Sequence, residues 1–254
     1  MTPAETAHAL RARIRAGYTG LTTGLAPGCM QGNLVILPAA HAGDFEHFCH
    51  ANRQACPLIG RGSPGQAILE HLGRDLDIRT DVSRYVVLEH GVETRRVTDL
   101  RDLWRDDFVA FVLGCWFTSE AALAAAGIRL RHVELGIQGG LFRTDRPTRP
   151  VGPFQGPLVV SMRPFAAETV DRVAEITAEA PLAHGAPVHV GDPAALGIVD
   201  LARPNFGEPL PPLPGEVPMY WACGLTANAA LEAARLPLAI THAPGCMVVT
   251  DLPG

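Results

Sequence analysis

The sequence predicts an α/β fold: a mainly parallel mixed sheet flanked by helices, with a smaller α+β domain inserted into it. Three observations predict it. Short apolar runs alternate with helical segments over most of the chain, the grammar of strand–helix–strand units. Phe108–Gly114 is a continuous apolar run, as in a strand buried on both faces. A polar stretch, about Asp75–Arg105, fits a parallel sheet poorly and reads as part of the inserted unit. The expected division is 1–68 with 152–254 for the main domain and 69–151 for the smaller one.

The elements follow in order. Met1–Gly17 is a short amphipathic helix carrying Arg11, Arg13 and Arg15. A Gly/Thr/Pro-rich loop, Tyr18–Gly32, leads into a strand at Asn33–Leu37 stopped by Pro38. Asp44–Asn52 reads as a helix with Phe45 and Phe48 on one side, and a loop over 57–65 precedes a short helix near Gln66–Leu72. Tyr85–Glu89 and Glu93–Val97 form a hairpin whose turn is His90-Gly91. After the Phe108–Gly114 strand comes a helix, Ser119–Ala126, closed by Gly127. Leu158–Met162 is a strand and Ala166–Ala180 a helix, with Val170, Val173 and Ile176 inward. Pro187–Val190 is a strand, 202–218 a proline-rich connection, Met219–Cys223 a strand and Ala227–Ala234 a helix. Leu238–Thr241 and Met247–Thr250 complete the sheet.

Composition narrows the function. The 254 residues are 47% hydrophobic with a formal charge of −5, enough for a packed core and no footprint for nucleic acid or an anionic membrane. The N-terminal segment lacks the apolar centre of a signal peptide, and no apolar run is long enough to cross a bilayer. Six cysteines without regular spacing argue against a disulfide framework, so a cytoplasmic location is expected. All 21 basic residues are arginine. Without lysine there is no Schiff base, no pyridoxal phosphate held as an aldimine and no Walker A loop. Gly60–Gly65 matches G-x-G-x-x-G, but Pro64 removes an N–H that a pyrophosphate cradle needs and no clear strand precedes it. No cofactor and no metal site are therefore expected. The expected partner is a small-molecule carboxylate, with neither nucleic acid nor membrane, and a homo-oligomer is compatible with the chain.

Two internal echoes carry the candidate chemistry. The pentapeptide APGCM occurs at Ala26–Met30 and at Ala243–Met247, each a Pro-Gly turn presenting a thiol and backbone N–H groups. Gly28, Cys29, Gln31 and Asn33 are substrate-binding candidates from the first copy and its strand; Gly245 and Cys246 come from the second. The two turns are expected on one side of a common cleft. The second echo, C-x-x-T-x-x-A-A-L-x-A-A, begins at Cys115 and again at Cys223. Each cysteine ends an apolar run before a helix, where backbone N–H groups lower a thiol's pKa and stabilise an anion. In H-G-A-P-V-H-V-G-D the imidazoles of His184 and His189 fall on opposite faces of a regular strand, which favours acid–base work by His189 over metal binding. His242 stands beside the second APGCM turn. Arg143, with Thr144, and Arg163 are candidate carboxylate clamps, because a planar guanidinium matches a carboxylate with two parallel hydrogen bonds.

Seven stretches, GLAPGCMQGNLVILP (24–38), DIRTD (77–81), LWRDDFVAFVLGC (103–115), GPLVVSMRP (156–164), HGAPVHVGDP (184–193), WACGLT (221–226) and ITHAPGCMVVTD (240–251), resemble the D-glutamate cyclase family of hydro-lyases. The resemblance covers essentially the whole chain. It implies a two-domain α/β protein and a cofactor-independent carbon–oxygen lyase of amino-acid metabolism, acting on a small amino or hydroxy acid. Closure of D-glutamate to 5-oxo-D-proline with loss of water is the model reaction. The chain departs from the family's pattern at Cys29, where tyrosine is usual, and at Cys246, where histidine is usual. On the lyase reading, Cys115, His189, Cys223, His242 and Cys246 are the catalytic candidates. Two alternatives stand beside it: a cofactor-independent two-cysteine racemase or epimerase, and a non-catalytic small-carboxylate-binding protein.

Overall fold

The computed structural model describes residues 1–254 and contains six helices and eleven strands. In chain order they are α1 (Pro3–Arg15), β1 (Cys29–Pro38), α2 (Ala39–Ala51), β2 (Leu58–Arg61), β3 (Tyr85–Glu89), β4 (Val92–Val97), β5 (Phe108–Gly114), α3 (Glu120–Ala125) and α4 (Arg131–Leu135). There follow β6 (Leu141–Pro147), β7 (Pro157–Ala166), α5 (Val170–Ala178), β8 (His189–Val190), β9 (Glu216–Ala222), α6 (Leu225–Ala234), β10 (Ala239–His242) and β11 (Val248–Pro253). The strands make a seven-stranded sheet, ordered β2-β5-β1-β10-β3-β4 with β11 also on β1, and a four-stranded sheet, ordered β6-β7-β9-β8.

The fold is mixed α/β, but its sheets are antiparallel rather than mainly parallel: every strand pair in both sheets runs antiparallel. A continuous apolar run reports that both faces of a strand are covered; it does not report strand direction. The large sheet is covered by α2 and α6 on one face, through Phe45, Phe48, Ala227, Ala230 and Leu231 packed on Val35, Leu37, Phe111 and Leu113. Its other face is covered by irregular chain. Leu69, Leu72, Leu76, Ile78 and Val82 pack there on Leu34, Ile36, Ala110 and Val112. The helix expected near Gln66–Leu72 is accordingly absent: Gly65 turns at φ 76° and an isolated bridge joins Ile68 to Asp77.

The hairpin turns where expected, with His90 at φ 51° and Gly91 at φ 80°, the left-handed pair that a two-residue turn needs. It belongs to the large sheet, however, because β3 pairs with β10. Sheet membership thus divides the chain elsewhere than at 69 and 151. The large sheet draws on 29–114 and 239–253, the small one on 141–222. The exposed, charged β4, with Glu93, Arg95 and Arg96, protects the sheet edge from further pairing.

Two details position the site. Helix α6 lies between the sheets, giving Ala227, Ala230 and Leu231 to the large one and Leu225 and Ala229 to Val159 of the small one. A helix apolar on nearly all sides requires such double burial. Strands β10 and β11 lie end to end along β1, with Val35 opposite Thr241 and Gly32 opposite Val248. The second APGCM turn fills the gap between them. There the Leu34 N–H finds no strand partner and donates instead to His242 Nδ1 at 3.2 Å.

Candidate active site

The junction of the two sheets encloses a small cavity with an empty volume of about 520 Å³ including its mouth. Asn33, Cys115, Trp116, His242, Pro244, Gly245 and Met247 line it from the large-sheet side. Leu141, Ser161, Arg163, Cys223 and Leu225 line it from the small-sheet side, and Gln138 and His184 come from connecting loops.

Arg163 is its centre. Strand β7 alternates, so Ser161 and Arg163 share a face and both turn to the cavity. Arg163 is 2% exposed, yet it forms no ion pair; Nη1 donates to its neighbour's carbonyl, Met162 O, at 2.8 Å, and Nε has no partner. Its guanidinium carbon lies 5.1 Å from the centre of the Trp116 ring, a cation–π contact. Burial lowers its pKa to about 10, opposed by Glu120, Cys223 and Cys115. Ser161 Oγ and Trp116 Nε1 are likewise buried without partners. Three unsatisfied polar groups lining one cavity are costly in an empty site and mark where a polar ligand would supply the missing bonds. Gly139, at φ 79°, makes room for the arginine, since a Cβ there would stand 2.8 Å from Nη1.

The two cysteines of the longer echo meet here. Cys115 follows β5 and enters a 3-10 turn, Trp116–Ser119, leading into α3; Cys223 follows β9 and precedes α6. The backbone N–H two residues on, Phe117 for Cys115 and Leu225 for Cys223, favours the ionised form of each thiol. Burial raises their pKa values, to about 12 for Cys115 and about 11 for Cys223, while those N–H groups and Arg163 pull the other way. Both are therefore thiols in the empty site. Gly224 brings Asn33 against the start of α6, since a Cβ there would lie 2.2 Å from Asn33 Nδ2. Asn33 Nδ2 is itself anchored on Gly114 O at 3.0 Å.

Two neutral histidines complete the lining. His184 Nδ1 donates to Gln54 O at 2.8 Å, so its Nε2 keeps a lone pair. His242 Nδ1 accepts from Leu34, so its proton sits on Nε2. Burial depresses both pKa values to about 4.

The structure thus brings Asn33, Cys115, Arg163, Cys223, His242 and Gly245 into one cavity. The other candidates stand outside it. Gly28 packs against Pro3, and Cys29 is buried under α1 with Ala7, Leu10 and Ile14. The two APGCM turns therefore do not share a cleft: the first anchors the N-terminal helix, and only the second lines the cavity. Gln31 is buried but does not line it. Cys246 sits between two lining residues, yet its thiol points to Gly20 O at 3.8 Å. Arg143 is an exposed partner of Glu232 at 2.8 Å, and Thr144 donates to Leu158 O at 2.8 Å, both structural contacts. His189 bonds Asp192 O at 2.7 Å on a two-residue strand outside the cavity, whereas His184 lines it. Gln138 and Trp116 line the cavity although no sequence motif singles them out; Ser161 lines it from the candidate clamp segment Ser161-Met162-Arg163, two residues from Arg163 on the same strand face.

Comparison with known proteins matches the D-glutamate cyclase family model over residues 109–251, which includes all of β5 but its first residue, Cys115, Arg163, Cys223 and the second APGCM turn. A Jannaschia sp. protein named "Putative hydro-lyase" is 53% identical over 247 residues, covering 97% of this chain and 93% of its own. The chain belongs to the D-glutamate cyclase family. A Methylobacterium radiotolerans member, also named "Putative hydro-lyase", is 54% identical over 243 residues, covering 95% of this chain and 90% of its own. Among solved structures, a nitrogen repressor-like protein of Methanococcus jannaschii aligns over 92% of this chain and 90% of that one. Its TM-score is 0.40 at 10% identity. No helix is long and apolar enough to cross a membrane.

Proposed function

We propose that this protein is a hydro-lyase of a small amino-acid carboxylate, with D-glutamate closing to 5-oxo-D-proline as its reaction, and that Arg163 holds the substrate's α-carboxylate. One observation carries the reading: a buried arginine with no carboxylate partner faces a cavity that is also lined by two cysteines and two histidines. A bound carboxylate would supply the counter-charge that Arg163 lacks and accept from its free Nε.

The remaining roles follow from proton inventory. Ring closure turns the substrate's ammonium into an amide N–H, so nitrogen loses two protons. Both leave with one γ-carboxylate oxygen as water. His184 Nε2 is the free base of the cavity and takes a proton from the ammonium, a step favoured when a bound carboxylate raises its basicity. Cys115 and Cys223, protonated in the empty site, are the groups able to give a proton to the departing oxygen. The Ser161 hydroxyl and the first turn of α6, whose N-cap Gly224 makes no side-chain cap, support the tetrahedral oxyanion. The test is incubation of the purified protein with D-glutamate, with lactam read by proton NMR. Lactam formation that disappears in Arg163→Met supports the assignment. Absence of lactam with wild-type protein refutes D-glutamate as the substrate.

A further inference from the structure

We propose that Cys115 and Cys223 are an opposed pair of proton-transfer groups that exchanges the Cα proton of a small α-amino acid, so that this cavity interconverts enantiomers. The inference rests on the reading of the cavity as an amino-acid carboxylate site, and not on lactam formation.

The argument is one of equivalence. Removing water or closing a ring needs an acid and a base of different strength, and such pairs stand in unlike environments. Moving a proton off one face of Cα and onto the other needs two groups of the same strength, because the reverse direction swaps their roles. Cys115 and Cys223 meet that requirement in four ways. They begin the same twelve-residue pattern, C-x-x-T-x-x-A-A-L-x-A-A. Each sits where a strand gives way to a helical turn. In each the backbone N–H two residues further on favours the ionised form. They reach the cavity from different sheets, so they approach a bound molecule from different walls, with Arg163 electrostatically linked to both. The helices behind them are not equivalent, since α6 is buried between sheets and α3 is mostly exposed. What the two repeats share is the setting of the sulfur.

The step balances without a cofactor. One thiol first passes its proton to His184 Nε2, the free base of the cavity, leaving a thiolate that Arg163 stabilises; the other is a thiol. The thiolate takes the Cα hydrogen as a proton, the C–H bond breaks, and its electron pair moves into the carboxylate as an enediolate held by Arg163. The second thiol delivers its proton to the opposite face of Cα. The product is the other enantiomer, and thiol and thiolate have exchanged places.

The test uses the full-length protein in deuterium oxide with D- and L-glutamate and with aspartate, alanine, serine and proline as separate substrates. Chiral chromatography and mass spectrometry read the label. The expected result is that at low conversion deuterium appears in the product enantiomer and not in the remaining substrate, because each thiol carries a single proton. Cys115→Ser and Cys223→Ser should each slow exchange by roughly 100-fold or more, the scale of losing a positioned acid or base. Each should keep the ligand-induced thermal shift. Label in substrate and product alike, or exchange that survives either substitution, overturns the pair. No Cα exchange with any of these amino acids overturns it as well. Lactam formation with Cα unlabelled ends this inference and leaves the proposed function standing; exchange without lactam does the reverse.

Discussion

Replacing Arg163 with methionine separates a ligand clamp from a structural arginine, because the two roles predict opposite signs in two measurements. Methionine keeps much of the stem and removes the guanidinium. In the empty protein the charge is held at a cost: burial lowers its pKa from the ordinary arginine value to about 10, which is about 3 kcal/mol against the charged form. The sign holds at neutral pH. A base whose folded pKa is lowered binds fewer protons than in the unfolded chain, so the cost is fully present below about 10 and is relieved only as pH rises above it toward the ordinary arginine value. Some of it is returned by the hydrogen bond to Met162 O and the contact with Trp116, about 1 kcal/mol each. Arg163→Met should therefore leave the empty protein as stable or about 1 kcal/mol more stable, a rise in Tm of roughly 2–4 °C for a chain of this size. The loss of binding should be far larger. Removing one partner of a desolvated, bidentate charge pair costs about 2–5 kcal/mol, or roughly 30-fold to several thousand-fold in Kd. Calorimetry of ligand binding beside differential scanning calorimetry of both proteins gives the two numbers. A variant that melts several degrees lower and still binds its carboxylate refutes the assignment.

Three further outcomes are expected. Both cavity histidines have folded pKa values near 4 against 6.5, so the unfolded chain binds more protons between these values; stability is complete above pH 6.5 and falls as pH drops through 4, by up to about 3 kcal/mol per histidine. Denaturant melts of wild type and His184→Asn across pH 4–7 should show a shallower acid loss in the variant, and equal slopes would contradict it. Gly224→Ala, at φ −59°, strains no backbone but pushes a methyl onto Asn33, so it should cost about 1–3 kcal/mol and weaken ligand binding, read by thermal shift. Cys115 and Cys223, held as thiols, should react with iodoacetamide far more slowly at pH 7 than at pH 10, and a bound carboxylate should slow them further; peptide mapping reads each site.

Local pattern made much of this chain legible. The β5 run, the His90-Gly91 turn and the C-x-x-T motifs all depend on neighbours within a few residues, and each is where its pattern placed it, whereas Arg163, expected just past a strand ending at Met162, lies inside β7. Strand direction was not legible, because an apolar run records burial and antiparallel partners bury the same residues as parallel ones. The two APGCM copies differ for a related reason: a Pro-Gly turn specifies a bend, but which surface the bend meets is set by α1 for Cys29 and by the gap between β10 and β11 for Gly245. The two Ala-rich repeats make the point most simply. The same pattern is a mostly exposed helix after Cys115 and a helix clamped between two sheets after Cys223, since alanine's small side chain permits both and only the packing of distant strands chooses. By itself the sequence determined that two thiols end strands at helical turns and that, with no lysine, arginine is the permanently charged cationic side chain available to a carboxylate. The tertiary structure decided that those thiols share one cavity with a buried, unpaired Arg163, because bringing two sheets together is a matter of long-range contact that no local pattern encodes.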